Sequence, residues 1–368
     1  MIPTPNQILL LRASLLSGSD AASAWKTWRG RVNFDDIDAA SYRLMPLLYK
    51  NLRREKIEDE LLGRLKGIYR HTWSRNQLLF HEAGRVLKAM NDAGISVLVL
   101  KGATLANAFY CDAGLRPMND FDFMVPLGEA FRAFEVMQTC GWNYAEFVPL
   151  KQLVWCFHAG KWTNRNGQQI DLHWHLLPEG RQPGIDDDIW ARSVKIEIGG
   201  GIFSAMDATD LLWHICAHGA VGDSIPPIRW VADAWTILQS KRDAIDWERL
   251  VKTTQRRHLT LVVGRALSFL REEFSAPVSA GVVEELNRTP HAWLERWEDR
   301  IKSGPQGILG ALPLHFVNYL RLSKNDLPWR RIAGAPIFFQ RVWGVSSVRG
   351  LPVYAIKKAA KRLASAKR

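Results

Sequence analysis

The chain has 368 residues, 47% of them apolar and 16 of them tryptophan, which is enough to bury a sizeable core and excludes a disordered polypeptide. Its four cysteines, Cys111, Cys140, Cys156 and Cys216, form no CxxC pair, which argues against a zinc knuckle or a dense disulfide framework and fits a reducing compartment. The formal charge of +12 is uneven: Leu327–Arg368 holds ten Lys/Arg residues and no acid, so about +2 remains for the rest of the chain.

The opening run "ILLL" has no basic residue before it, so a secretory leader is not expected. No uncharged apolar stretch approaches the ~18 residues of a membrane span, and the expected location is the cytoplasm. Residues 1–94 read as helical. "SYRLMPLLYKNLRRE" and "ELLGRLKGIYRHTWSRNQLLFHEAGRVLKAMNDAG" carry apolar residues at three- and four-residue spacing, and Asn91, Asp92 and Gly94 supply stop chemistry. "ISVLVL" is then a short β-branched run, expected as a strand buried on both faces. A helical segment, "ATLANAFY", follows Gly102, and "CDAGLRPMN" is a loop by its Gly, Pro and Asn.

"DFDFMV" is expected as the second strand and "LGEAFRAFEVMQTCG" as the helix after it. "LVWCFHAGKWT" and "QQIDLHWHLL" are expected to form a hairpin around "NRNG". From Asp207 the pattern is helical again. The fold class is therefore α+β, a small mixed-sheet core over 95–200. It is flanked by an N-terminal helical region, 1–94, and a C-terminal one, 201–326, with a basic tail over 327–368.

Strand alternation puts Asp120 and Asp122 on one face and Phe121 and Phe123 on the other. Two neighbouring carboxylates on a half-buried strand repel each other and lose hydration, and a cation removes both penalties. Mg²⁺ suits one or two carboxylates plus phosphate oxygens and water, and Mn²⁺ is the alternative ion. In "QQIDLHWHLL", Asp171, His173 and His175 share one face and Ile170, Leu172, Trp174 and Leu176 the other. If this strand lies beside the first, Asp171 completes a three-acid arrangement suited to in-line displacement at phosphorus. The competing structural reading has Asp120 capping a turn and Asp122 paired with Arg116.

Together, Val97–Val125 and "QIDLHWHL" resemble the polymerase-β type of nucleotidyltransferase, and in particular the bacterial family of uncharacterised nucleotidyltransferases. The resemblance rests on Leu100-Lys101-Gly102, the downstream Arg116, the D-x-D strand, the run Ile170–Trp174, and Leu211, His214 and His218 after it; it covers about residues 75–255. It implies that Gly102 lets the backbone approach the nucleotide phosphates, that Asp120 and Asp122 bind metal, and that Asp171 holds a second metal or helps to deprotonate the acceptor. The wider superfamily's Gly-Ser pair is here Lys101-Gly102 followed by Ala103, so a serine contact to phosphate is absent; Thr104 and Lys101 are the candidates to replace it.

Lys101 and Arg116 are candidates to neutralise phosphate, each against the alternative of ordering the loop. His158 and His173 are placed near the same cleft, with packing roles as the simpler reading. Asp210, His214 and His218 share a helix face, but without the Glu of HExxH or a third distant ligand zinc is not expected there; His214 and His218 are read as packing or as lining the substrate cleft. The tail "VYAIKKAAKRLASAKR" is either a basic helix for an anionic membrane surface or nucleic acid, or a solvated terminus.

The expected function is Mg²⁺-dependent transfer of a nucleoside monophosphate from an NTP donor to an acceptor hydroxyl of unassigned identity, with release of pyrophosphate. Two alternatives stand beside it: a nucleotide-binding or interaction module without turnover, motivated by the missing serine, and a nucleic-acid-directed transferase or binder using the tail.

Overall fold

A computed structural model of the chain describes residues 3–145, 148–219, 228–241, 244–303, 312–324 and 326–366. Seven strands make one mixed sheet in the order β3-β4-β5-β2-β1-β7-β6. They are β1 (Leu98–Val99), β2 (Asp120–Met124), β3 (Trp142–Tyr144), β4 (Ala159–Asn164), β5 (Gln169–His173), β6 (Val194–Ile198) and β7 (Gly201–Ala205). β2 runs parallel to β5 and β1 parallel to β7, while the other neighbours are antiparallel. The class is the expected one, a mixed-sheet α+β core flanked by helices.

Period-two alternation sorts the sheet into two faces. Val97, Val99, Phe121, Phe123, Ile170 and Leu172 enter a core with the Leu62–Asp92 helix, through Leu79, Phe80, Ala83, Val86, Leu87 and Met90, and with the Ala130–Thr139 helix. Each such fully buried side chain contributes about 2 kcal/mol. On the opposite face, Leu98, Leu100 and Met124 join a second core, the one that also gathers Leu10, Trp28 and Leu48 with Leu211, Val231, Val251 and Leu267. The N- and C-terminal helical regions thus pack into one core on one face of the sheet. Gly84 and Gly199 (φ +57°) allow the long helix to touch the β6–β7 turn, since a Cβ on Gly84 would stand 3.1 Å from the Gly199 Cα.

Several local expectations differ. Only Leu98–Val99 of "ISVLVL" carries the ladder, because the following backbone turns directly into the Lys101–Thr104 helix. That helix continues as a π-helical turn, Leu105–Phe109. Leu150–Cys156 is helical, so the first strand of the expected hairpin begins only at Ala159; its apolar residues Leu153 and Cys156 are buried at helical spacing. The β6–β7 hairpin was not anticipated, although "VKIEIGGGIFSA" alternates around a glycine turn, and it carries the sheet five residues past the expected boundary at 200.

The basic tail is helical over Pro328–Val342 and Leu351–Ala366. Its first helix buries Phe338 and Val342 in a small core with Cys156 and Tyr319.

The loop between the π-turn and β2 is held from both sides. Asn76 Nδ2 donates to the Ala113 and Arg116 carbonyls at 2.6 and 2.8 Å. The Arg116 guanidinium is buried and donates through Nε and Nη2 to the two oxygens of Asp233 at 3.0 and 2.9 Å, and Tyr110 Oη donates to Asp233 at 3.0 Å. Removing one member of such a pair leaves an uncompensated buried charge. Asp233→Ala should therefore lower the unfolding free energy by about 3–5 kcal/mol, while Arg116→Met with Asp233→Leu should recover most of it. Urea denaturation checks this, and a loss below about 1 kcal/mol in the single variant would show that the pair does not hold the loop.

Candidate active site

β2 and β5 lie in parallel register, with Asp122 opposite Asp171 and Asp120 opposite Gln169. Residues directly opposite in neighbouring strands point to the same face, so the register brings the two acids together. Asp122, Asp171 and His173 each offer a ligand atom, and these atoms lie within 4.8 Å of one another. Asp122 and His173 are buried and Asp171 is half-buried, on the face covered by the helices. Asp120 is half-buried, one pleat away on the same strand face.

Charges around the group decide its protonation. Burial alone would raise the Asp122 carboxyl, but the Lys101 cation and His173 overcome it and hold it well below the usual carboxylate range. Lys101 Nζ stands 3.2 Å from Asp122 Oδ1 and His173 Nε2 stands 3.4 Å from the same oxygen. Neither contact has hydrogen-bond geometry, and Asp122 Oδ1, Asp171 Oδ1 and His173 Nε2 have no hydrogen-bond partner although all three are buried. Asp171 is pushed up to about 6, by burial first and then by Asp122 and Asp120. Asp120 is raised by burial and by Asp122.

This arrangement fits a divalent cation. His173 Nδ1 faces the His175 carbonyl at 3.4 Å, an acceptor only; with a proton on Nδ1, Nε2 presents its lone pair toward carboxylate oxygens. Lys101 is the cation that stands against Asp122, and a divalent ion bound among the two carboxylate oxygens and the ring nitrogen would turn the remaining repulsion into ligation. Asp120 stands outside the trio, so the compact group differs from the three-acid set expected from sequence: the side chain two residues beyond Asp171 enters it.

Other predicted residues are placed differently. Gly102 is buried where a Cβ would stand 3.1 Å from Arg116 Nη1 and 3.2 Å from Met118 Sδ, so its lack of a side chain makes room for the loop before β2. The Thr104 hydroxyl is buried and donates to the Leu100 carbonyl at 3.1 Å. Arg116 meets Asp233, not Asp122, Asp120 or Asp112. Because Asp233 lies on the Arg229–Ser240 helix, 117 residues away, no local spacing announced this partner.

The four histidines converge. The His158 and His173 rings stand 5.4 Å apart, and those of His214 and His218 5.6 Å. His214, with no exposed surface, has both ring nitrogens buried without a partner. Burial, then its histidine neighbours and Lys101, hold the His158 and His214 rings neutral; His218 is open to solvent, and the Lys101 charge is the first cause of its lowered pKa. Asp210 turns away to Arg192 at 3.3 Å, so it makes no ligand set with His214 and His218.

Two residues were not expected beside the acids: Lys161, and Arg229, which helix spacing places only in an i, i+4 pair with Asp233. Lys161 lies directly opposite Asp171 across the β4–β5 pair, a position that counting outward from the "NRNG" turn would have found. Arg229, half-buried at a helix start and donating to the Pro117 carbonyl, lies close enough to Asp120 to stabilise its charge; only the tertiary fold brings it there.

A mixed sheet with in-register acids on two parallel strands beside a Lys-Gly helix start defines a nucleotidyltransferase core. The chain matches the family described as "Uncharacterised nucleotidyltransferase" over residues 39–275, and it belongs to that family. No curated protein sequence matches it significantly. Among solved structures it is similar to the antibiotic-resistance factor ANT(2″)-Ia, with 14% identity and a TM-score of 0.35 over 51% of this chain and 96% of that one. A likeness of that size carries no argument about substrate.

Because Asp171 holds its proton more tightly when folded than its ordinary value of 3.8, its contribution to stability is present at low pH and is lost as pH rises through about 6. Without added metal, stability should therefore decline between pH 4 and 7, and Asp171→Asn should flatten that decline. Melting curves across this range test it; an unchanged slope in the variant would mean that another group is responsible.

Proposed function

We propose that this nucleotidyltransferase moves a nucleoside monophosphate from an NTP to an acceptor hydroxyl, with Mg²⁺ or Mn²⁺ as the required ion and pyrophosphate as the other product. The observation that carries this reading is the cluster of buried ligand atoms on Asp122, Asp171 and His173, none of which has a hydrogen-bond partner. In this reading these three residues hold the ion and Asp120 extends the site toward a second one. The bound ion would neutralise charge on the triphosphate and on the departing pyrophosphate.

The chain's own residues supply the rest. Lys101, at the start of its short helix and partly exposed, is placed to leave Asp122 and pair with phosphate once a cation takes over the carboxylate. Lys161 and Arg229 flank the acids with further positive charge. Asp171 offers the ion one carboxylate oxygen, which leaves its second to accept the acceptor's proton as the hydroxyl attacks the α-phosphorus. Gly102 and Arg116 act as positioning residues, one making room for the loop and the other tying it to Asp233. In this reading the acceptor binds beside His158 and His218, the histidines that neighbour the acid cluster. The Thr104 hydroxyl donates to the backbone, and this reading gives it no phosphate contact.

A module that binds nucleotide without turnover is the second reading, and the Lys101–Asp122 contact favours it: a fixed ammonium already balances the carboxylate that a metal would need. Melting temperature with each of the four NTPs, with and without Mg²⁺, separates binding from its absence. A Mg²⁺-dependent rise with one NTP is expected in the wild type and not in Asp120→Asn/Asp122→Asn. Where turnover is measurable, Asp122→Asn should reduce it by at least about 10²-fold with the fold intact. Binding without any labelled product would favour the second reading, and full activity in Asp122→Asn would overturn the first.

A further inference from the structure

The C-terminal helices carry a surface that the catalytic reading leaves unused. Along Pro328–Val342, the residues Phe338 and Val342 face inward, while Trp329, Ile332, Ala333, Pro336 and Ile337 are all exposed. Their spacing of three, one, three and one puts them on a single helix face, and none of them is polar. The second helix, Leu351–Ala366, repeats the pattern with Val353, Ile356, Lys357 and Ala360 exposed. Ile332 and Ile356 are 77% and 70% exposed and Trp329 is 62% exposed, so these faces are open to solvent.

The two helices are joined by ring contacts: Phe339 meets Trp343 at 5.5 Å, and Trp343 meets Tyr354 at 5.2 Å. Basic side chains frame the apolar positions. Arg330 lies over the Trp329 ring at 5.2 Å, Arg341 over Trp155 at 4.3 Å, and Lys358 over Trp343 at 5.5 Å, with Arg349 and Lys357 exposed. No acid occurs from Leu327 onward.

We propose that this face docks on an anionic lipid bilayer, with the Trp329/Ile332/Ile337 and Val353/Ile356 stripes entering the acyl boundary and the Arg and Lys residues meeting lipid phosphates. Charge complementarity restricts the partner to an anionic one, and the aliphatic character of the exposed positions chooses among anions. Ile332, Ile337, Val353 and Ile356 have neither a ring for base stacking nor a hydrogen-bond donor, whereas hydrocarbon gains from each of them. Tryptophan with an adjacent arginine matches the headgroup level of a bilayer. The attachment is peripheral, since no helix among the described residues is long and apolar enough to cross a membrane.

The test is co-sedimentation of the full chain with phosphatidylcholine vesicles, with and without phosphatidylglycerol; it needs no catalytic activity. Binding is expected to the anionic vesicles only. Ile332→Asp/Ile356→Asp should weaken it by at least about tenfold, with circular dichroism and melting temperature unchanged because both side chains are exposed. Arg349→Gln and Lys357→Gln should each weaken it about fivefold. Equal binding to neutral and anionic vesicles, or no binding, overturns the proposal. So does a concentration-dependent dimer abolished by Ile332→Asp, which assigns the face to a second copy. RNA binding sensitive to the charge substitutions, in the absence of vesicle binding, assigns it to nucleic acid.

Discussion

Two carboxylates in register on neighbouring parallel strands, Asp122 and Asp171, pose the electrostatic problem around which the rest of this molecule is arranged. Both are largely withdrawn from water and each raises the cost of ionising the other. The fold answers with cations held at different removes. Lys101 is closest, Lys161 comes from the hairpin strand across, and Arg229 reaches in from the helical region. The result is asymmetric: Asp122 remains ionised, while Asp171 sits near neutrality in its affinity for a proton.

That local arrangement depends on distant packing. The face of the sheet that carries the acids is covered by helices from both ends of the chain, which share one apolar core. The loop leading into β2 is secured by Asn76 from the long N-terminal helix and by Asp233 from the C-terminal region. Gly102 permits this by leaving space for Arg116 and Met118. Helical regions that look like separate flanking pieces along the chain thus act together as a clamp on the acidic strand. Their burial removes water, which strengthens every charge interaction beneath them.

Among these covering helices, Ala208–Gly219 buries His214 and sets His218 beside it. His214 and His218 come from the Ala208–Gly219 helix and His158 and His173 from the hairpin, and Lys101 disfavours a positive charge on His158, His214 and His218. A set of neutral rings next to an ammonium is a polar environment without fixed charge of its own, ready to respond when an anionic triphosphate arrives. The C-terminal helices stand outside this system. One face of Pro328–Val342 anchors them to the core through Phe338, and the other is left apolar and exposed.

The D-x-D strand, the face that its acids share, the Lys-Gly turn and Asp171 on a second strand were all legible in the sequence, because strand alternation is a property of the backbone and needs no tertiary knowledge. Helix and strand periodicity likewise set the α+β class. Where a signal was short or mixed the reading failed: Leu150–Cys156 is apolar enough for a strand but buries its residues at helical spacing, and the β6–β7 hairpin was passed over despite its glycine turn. Only the folded chain could pair Arg116 with Asp233 rather than with a nearby aspartate, bring Arg229 toward Asp120, and merge two helical regions into one core. Local sequence sets which way a side chain points along its own element; which charge it meets across a hundred residues is decided by packing, because burial makes the distant partner worth more than the near one left in water.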